Sequence, residues 1–412
     1  MLSPRTPPAS CANPSAASAR DTAARKWLLG LSLSLIAFNL RPVFGSLSVL
    51  LPEVMRDTGL SPAGASLLTT LPLLCLGLFA MPAPALARRF GPERTLLGAL
   101  LLICGGTLAR GTGSLALLFA GSALAGAGIA VSNVLLPGLV KRDFPSRAAM
   151  MTGLYTLAVC GGASSSTAFS VPLERHVFDG SWALTLAVWA LPAALVLVLW
   201  APQALAAGSP ARGAAQARAG KLWHDKLARQ VTLFMGLQSA LAYIAMGWLA
   251  PILRERGLDG AVAGYVVAVS ILVQLATCLV IPSLAARCRD QRALAVGLAV
   301  ITLVSMLALI FAPLAGCWLW AVLLGLGQGG TFALALSLIV MRSPDAAVTA
   351  QLSAMAQGVG YMLAASGPLL AGLLRGWTGS FRSSAVLLVA YSVALVWAGW
   401  GAGRRLLVQP RH

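Results

Sequence analysis

The sequence predicts an all-α integral membrane protein, with twelve transmembrane helices in two six-helix, pseudo-symmetric halves. Three observations carry this reading. Of 412 residues, 58% are hydrophobic and only 10% charged, whereas ordinary soluble domains run near 25% charged. The apolar residues fall in long continuous runs, and the second half of the chain repeats features of the first. A span needs about 20 apolar residues, so the length holds about a dozen spans and no large soluble domain. The runs, such as Leu96 to Cys104 and Ala385 to Gly399, do not alternate over short segments, which excludes a β-barrel.

Residues 1–26, rich in Pro, Ala and Ser with Arg5, Arg20 and Arg25, read as a disordered cytoplasmic tail. No small-residue cleavage site follows a short apolar core, so a removable signal peptide is not expected. The first half, 27–201, holds spans at 27–51, 63–87, 94–112, 114–139, 147–171 and 181–201. Polar residues Pro202 to Arg229, carrying Arg212, Arg218, Lys221, Lys226 and Arg229, form a cytoplasmic linker at 202–229. The second half, 230–402, holds spans at 230–253, 260–286, 292–313, 316–341, 346–374 and 383–402, followed by a cytoplasmic tail at 403–412. Small-residue clusters mark close helix contacts at Gly126-Ala127-Gly128, Gly161-Gly162, Gly325 through Gly330, and Gly358 with Gly360. The Gly325 cluster lacks the preceding strand and the Lys-Ser or Lys-Thr of a phosphate loop, so it reads as packing.

With the N-terminus inside, 22 of the 30 basic residues fall on the cytoplasmic side. Only Arg56, Arg110, Arg175, Arg254, Arg256, Arg375 and Arg382 fall opposite, while the twelve acidic residues divide evenly. An asymmetry confined to Lys and Arg is the positive-inside pattern. The net charge of +18 is therefore an insertion signal, and without a basic domain or interleaved aromatics it does not imply nucleic acid. The seven cysteines show no CxxC and no nearby His, so neither a metal site nor a cofactor is expected.

The repeat appears when the chain is slid along itself by 198 residues: Gly59, Leu60, Pro84, Arg89 and Arg94 meet Gly257, Leu258, Pro282, Arg287 and Arg292. A second correspondence, at an offset of 200, joins Val140-Lys141-Arg142 to Val340-Met341-Arg342, each followed by a proline. Repeats of six spans keep their orientation, the arrangement of transporters that rock around a midplane site.

Arg41, in Asn39-Leu40-Arg41-Pro42, lies just past the middle of the first span. A cation there costs about 2.5 to 3.5 kcal/mol on insertion scales, so it must face a cavity or a partner. Pro42 adds a kink and frees a backbone carbonyl. The guanidinium fork suits two coplanar oxygens, as in an anion or a nitro group; the plainer alternative is an Arg locked onto helix carbonyls. No Asp, Glu or His falls within an expected hydrocarbon core, so Arg41 has no internal counter-ion and no usual protonatable switch accompanies it. Thr70, Asn133, Tyr155, Gln238, Tyr243, Trp248, Gln274, Gln328, Gln351, Gln357 and Tyr361 are the polar and aromatic candidates to complete a site. Each could equally be interhelical glue worth about 0.6 kcal/mol, although Gln357 and Tyr361 share one helix face.

These residues resemble the major facilitator superfamily and, more finely, its cyanate and 2-nitroimidazole transporter branch. The resemblance rests on Asn39-Leu40-Arg41-Pro42, Leu67-Leu68-Thr69-Thr70-Leu71-Pro72, Leu136-Pro137, Val140-Lys141-Arg142, Met151-Thr152-Gly153-Leu154-Tyr155, Leu237-Gln238-Ser239, Gly327-Gln328-Gly329-Gly330 and Met355-Ala356-Gln357-Gly358-Val359-Gly360-Tyr361. It implies the major facilitator fold, alternating access and a small solute, in a multi-pass protein of the bacterial inner membrane with both termini cytoplasmic. Two departures stand out. Arg88 occupies the place of the usual loop Asp, with Glu93 as the candidate substitute, and the proline after Trp248-Leu249 is displaced to Pro251.

The expected function is a secondary active transporter, not an enzyme. Its substrate site comprises Asn39, Arg41, Tyr155, Gln238, Tyr243, Trp248, Gln328, Gln357 and Tyr361. Its gating loops carry Arg88, Arg89, Arg94, Arg142, Arg287 and Arg292. The expected partners are a small anionic or nitro-bearing solute and membrane lipid, with the monomer as the functional unit. The alternatives are an exporter of neutral amphipathic compounds, leaning on Trp248, Tyr243 and Met355, and a non-transporting receptor.

Overall fold

The computed structural model describes residues 27–206, 222–344 and 346–409. The expected tail 1–26, most of the linker 202–229 and the end of the tail 403–412 lie outside the described residues. Among the described residues there is no strand. The first crossing is broken into α1 (27–38) and α2 (Pro42–Thr58); the second into α3 (Pro62–Ala80) and α4 (Ala83–Phe90). Then come α5 (Pro92–Ala109), α6 (Leu115–Asp143), α7 (Ala148–His176) and a sixth crossing split into α8 (Trp182–Val188) and α9 (Ala190–Ala206). The second half comprises α10 (Lys226–Glu255), α11 (Gly260–Arg287), α12 (Arg292–Phe311), α13 (Cys317–Met341), α14 (Ala346–Thr378) and α15 (Ser384–Ala402).

Eleven helices or helix pairs among the described residues are long and apolar enough to cross a membrane. The twelfth crossing, α7, has 29 residues but is more polar. Ser164, Ser166, Thr167 and Ser170 of α7 are buried. Their hydroxyls turn back onto the helix, as in Ser170 to the Ser166 carbonyl at 2.6 Å, or reach a neighbour, as in Ser164 to the Ala268 carbonyl at 3.3 Å. Hydroxyls satisfied in this way are tolerated in a membrane helix and weaken its hydropathy signal.

Several helices outrun their apolar runs because caps, rather than hydrophobicity, end them. α2 continues to Gly59 and α10 to Gly257, an equivalent pair in the repeat, with φ of 66° and 101°. Only glycine enters that region without strain. At the start of α10, Asp225 accepts from the Ala228 N–H at 2.9 Å, four or five residues before the apolar run begins. The second crossing departs more: a turn at Met81-Pro82 interrupts the expected continuous span, whereas its counterpart α11 runs unbroken through Pro282. The first half has two prolines there, Pro82 and Pro84, and the position matching Pro82 is Val280. Two missing N–H groups within three residues stop the helix; one is tolerated.

The repeat is visible in paired locks at the face where the described chain begins and ends, here the near face. In the first half Arg142 bridges to Glu93 at 2.6 Å and to Asp143 at 2.6 Å. In the second half the matching Arg342 donates to the Gln291 side chain, to the Ala402 carbonyl at 2.9 Å and to the Gly403 carbonyl at 3.2 Å. Gln291 stands 198 residues after Glu93, so one lock is ionic and the other uses an amide and carbonyls. The expected tail is docked here as well: Val408 donates to the Arg342 carbonyl at 2.9 Å, and Arg404 to Gln230 at 2.8 Å.

Arg342 is 3% exposed, and the Arg142 side chain 50%. Arg342→Ala leaves the Gln291 side-chain oxygen and the Ala402 carbonyl without their donor and is expected to cost about 2 kcal/mol of stability, against less than about 1 kcal/mol for Arg142→Ala. Thermal unfolding of the two purified variants, with the larger drop in Tm for Arg342→Ala, checks this.

Candidate solute-binding site

The site begins at the break between α1 and α2. Pro42 has no N–H to offer the Phe38 carbonyl, and its ring crowds that oxygen. The carbonyl instead lies against Gly162 of α7, so closely that a Cβ there would collide with it. Arg41 caps α2 with φ −119° and ψ −25°, outside the preceding helix, and its carbonyl accepts from Phe44 and Gly45. This turn releases the Arg41 side chain from the helix surface and aims it across the molecule. Its Nη1 donates to the Tyr243 hydroxyl of α10 at 2.8 Å, and the guanidinium lies 5.5 Å from that ring's centroid.

Both groups line a cavity of about 430 Å³ built by both halves. Tyr155, Gln238, Gln328, Gln357 and Tyr361 line it too, as do Asn133 and Gln274. Of the described residues in its wall, Arg41 alone is charged at neutral pH; no Asp, Glu, His or Lys is among them. Tyr243 and Tyr361 stand edge to face, with centroids 6.5 Å apart. Gln274 donates to the Gln328 side chain at 3.2 Å, and Gln328 to the Leu241 carbonyl at 3.3 Å. Gln357 donates to Ser353 at 2.9 Å.

Two expected site residues are elsewhere. Asn39 is buried at the break, its Nδ2 on the Leu35 carbonyl at 2.8 Å, and it is not among the described lining residues. Trp248 lies deeper: its indole N–H donates to the Pro368 carbonyl at 2.9 Å and its ring packs on Phe381 at 5.3 Å. Sequence reasoning also missed Thr152, Thr156, Cys160 and Cys278, which line the cavity. The three from α7 follow one another at four-residue spacing beside Tyr155, a stripe visible once Tyr155 is taken as a wall residue. Of the expected gating arginines, Arg142 forms the lock described above. Arg89 lies over Phe90 at 5.3 Å, Arg292 over Trp400 at 5.3 Å, and Arg88 and Arg287 fall in the last turns of α4 and α11.

The cavity reaches toward the near face along Thr152, Pro137, Gln357 and Leu336. On the opposite, far side the halves are clamped. Arg254 of α10 grips Glu53 of α2 through two bonds of 2.8 and 2.5 Å and also donates to the Val49 carbonyl at 3.0 Å. Both lie inside helices, whereas the sequence placed them at span ends. Arg175 meets Asp259 at 2.7 Å, and Ser48 donates to the Gly247 carbonyl at 3.0 Å. Gly264 fits against the Thr167 backbone and Gly372 against Ser66 and Trp248, positions where a Cβ would collide. A central cavity held shut on one side by bonds between two repeated halves is the construction of a membrane transporter.

Comparison with known proteins agrees. Residues 28–365 match the Major Facilitator Superfamily. Over 374 residues the chain is 40% identical to the 2-nitroimidazole transporter of Escherichia coli (strain K12), covering 90% of this chain and 94% of that one. It is 38% identical over 383 residues to the uncharacterized transporter YycB of Bacillus subtilis (strain 168), covering 92% and 94%. It is 32% identical over 360 residues to the cyanate transport protein CynX of Escherichia coli (strain K12), covering 85% and 91%. Among solved structures the nucleoside transporter NupG superposes with a TM-score of 0.72 at 14% identity, over 91% of this chain and 98% of that one. The chain belongs to the major facilitator superfamily, within it to the family of the cyanate and 2-nitroimidazole transporters.

The Arg175 hydrogen bond holds the Asp259 carboxyl below the usual carboxylate range. A lowered pKa stabilises the clamp above the ordinary carboxylate value and loses it only as pH falls through the lowered one. Far-side spin-label distances in the wild type should therefore stay constant from about pH 8 to about pH 5. Asp259→Asn should lengthen them across the same range.

Proposed function

We propose that this transporter moves a small anionic or nitro-bearing solute, bound at Arg41 midway across the membrane. The observation that carries the proposal is a guanidinium in the cavity wall, held by a neutral phenol and with no carboxylate among the described residues of that wall. A lone cation without a protein counter-charge favours a ligand that supplies the missing negative charge or two electron-rich oxygens. The relatives whose names specify nitroimidazole and cyanate support that class.

Tyr155, Gln238, Gln328, Gln357 and Tyr361 complete the site around the solute. The basic bias of the near-face loops supports an inner-membrane protein with both termini cytoplasmic. The structure then corresponds to the state open to the cytoplasm. Alternating access exchanges the far-side clamp for contacts between the near-face loops, where Arg88, Arg89, Arg94, Arg142, Arg287 and Arg292 sit.

Thermal-shift titration of the purified protein with cyanate, nitrate, acetate and 2-nitroimidazole tests the site. A solute at 100 times its Kd raises stability by about 2.7 kcal/mol. The expected result is a solute-specific shift that disappears in Arg41→Gln. An equal shift in the variant would make Arg41 structural and move the site elsewhere.

A further inference from the structure

The wall around Arg41 has more chemistry than a small inorganic anion uses. Tyr155, Tyr243 and Tyr361, three of the five tyrosines in the chain, line it, and Phe44 backs Tyr243 at 5.8 Å. Flat faces of this kind suit a ring, and about 430 Å³ accommodates one.

Gln238 supplies the second observation. It is 2% exposed and lines the same cavity. Its Nε2 is occupied, donating to the Ser239 hydroxyl at 2.7 Å and lying 3.4 Å from the Met235 sulfur. Its Oε1 is buried with no hydrogen-bond partner. Gln274 and Gln328 differ, being tied to one another and to the backbone. A buried acceptor without a donor is costly, so a bound group that brings an N–H or O–H is favoured over one that does not. Gln238 is five residues from Tyr243, about 7.5 Å along the helix axis.

We infer that Gln238 is a specificity-determining residue that selects planar aromatic solutes with a donor opposite their two-oxygen group. The carboxylate or nitro group sits on Arg41, the ring lies among the three tyrosines, and the N–H or O–H meets Gln238 Oε1. This rests on the Arg41 reading above and narrows it, ranking such solutes over small linear anions.

Isothermal titration of the full chain in detergent with two matched pairs tests it: 4-aminobenzoate against 4-methylbenzoate, and 4-nitroaniline against 4-nitrotoluene. Within each pair only the donor changes. In the wild type the donor-bearing member is expected to bind about tenfold more tightly, and Gln238→Met is expected to level the pair. A preference in the benzoates, the nitroarenes or both supports the assignment and identifies the end group that Arg41 takes. Equal affinities within both pairs in the wild type overturn it, independently of how the variant folds. If none of the four benzene derivatives binds while cyanate still binds through Arg41, this inference falls and the Arg41 site stands. If no ligand is lost in Arg41→Gln, both fall.

Discussion

A guanidinium set among apolar helices must find electron-rich partners. In this protein the phenol of Tyr243 meets one nitrogen and presents its ring to the cation. The break at Pro42 makes the arrangement possible by taking Arg41 out of the regular helix. Gly162 makes the break possible by letting α7 close over the Phe38 carbonyl. Remove any of these and the cavity loses its charge or its shape.

The same bond joins the halves. Arg41 belongs to the first and Tyr243 to the second, so the site forms where the two repeats meet and is exposed to any motion between them. Deeper in, Arg254 with Glu53 and the close-fitting glycines Gly264 and Gly372 hold the far side together. The arrangement gives the rocking expected of the superfamily specific contacts to break: charge pairs and small-residue packing at one end, a cation–phenol bond at the centre.

Much of this was legible in the sequence. Twelve crossings, the repeat and the need for Arg41 to face a cavity or a partner follow from hydropathy, spacing and the cost of a buried charge, which are local or periodic properties. The amides and tyrosines of the cavity wall followed too, because such residues in apolar runs are conspicuous. Direction was less legible. Asn39 turns back to the Leu35 carbonyl one turn earlier in its own helix, and Trp248 to the Pro368 carbonyl, a partner that only the tertiary packing brings near. The Met81-Pro82 turn escaped because one proline in the pattern was matched by the repeat while the extra one broke the helix. Glu53 with Arg254 and Arg342 with Gln291 are pairs remote in sequence. Each member looks like an ordinary span-end residue until the fold sets them side by side.

The central claim is that the cavity holds a cation whose counter-charge comes from the solute. Supplying that charge from the protein tests it without touching Arg41. Tyr243→Glu places a carboxylate where the phenol now meets the guanidinium, and Tyr243→Phe removes the hydroxyl without adding charge. Equilibrium binding of 2-nitroimidazole and cyanate to the two folded variants is expected to survive in Tyr243→Phe, weakened by about threefold to tenfold, and to vanish in Tyr243→Glu. Undiminished binding in Tyr243→Glu would contradict the claim and show that the solute does not need the charge of Arg41.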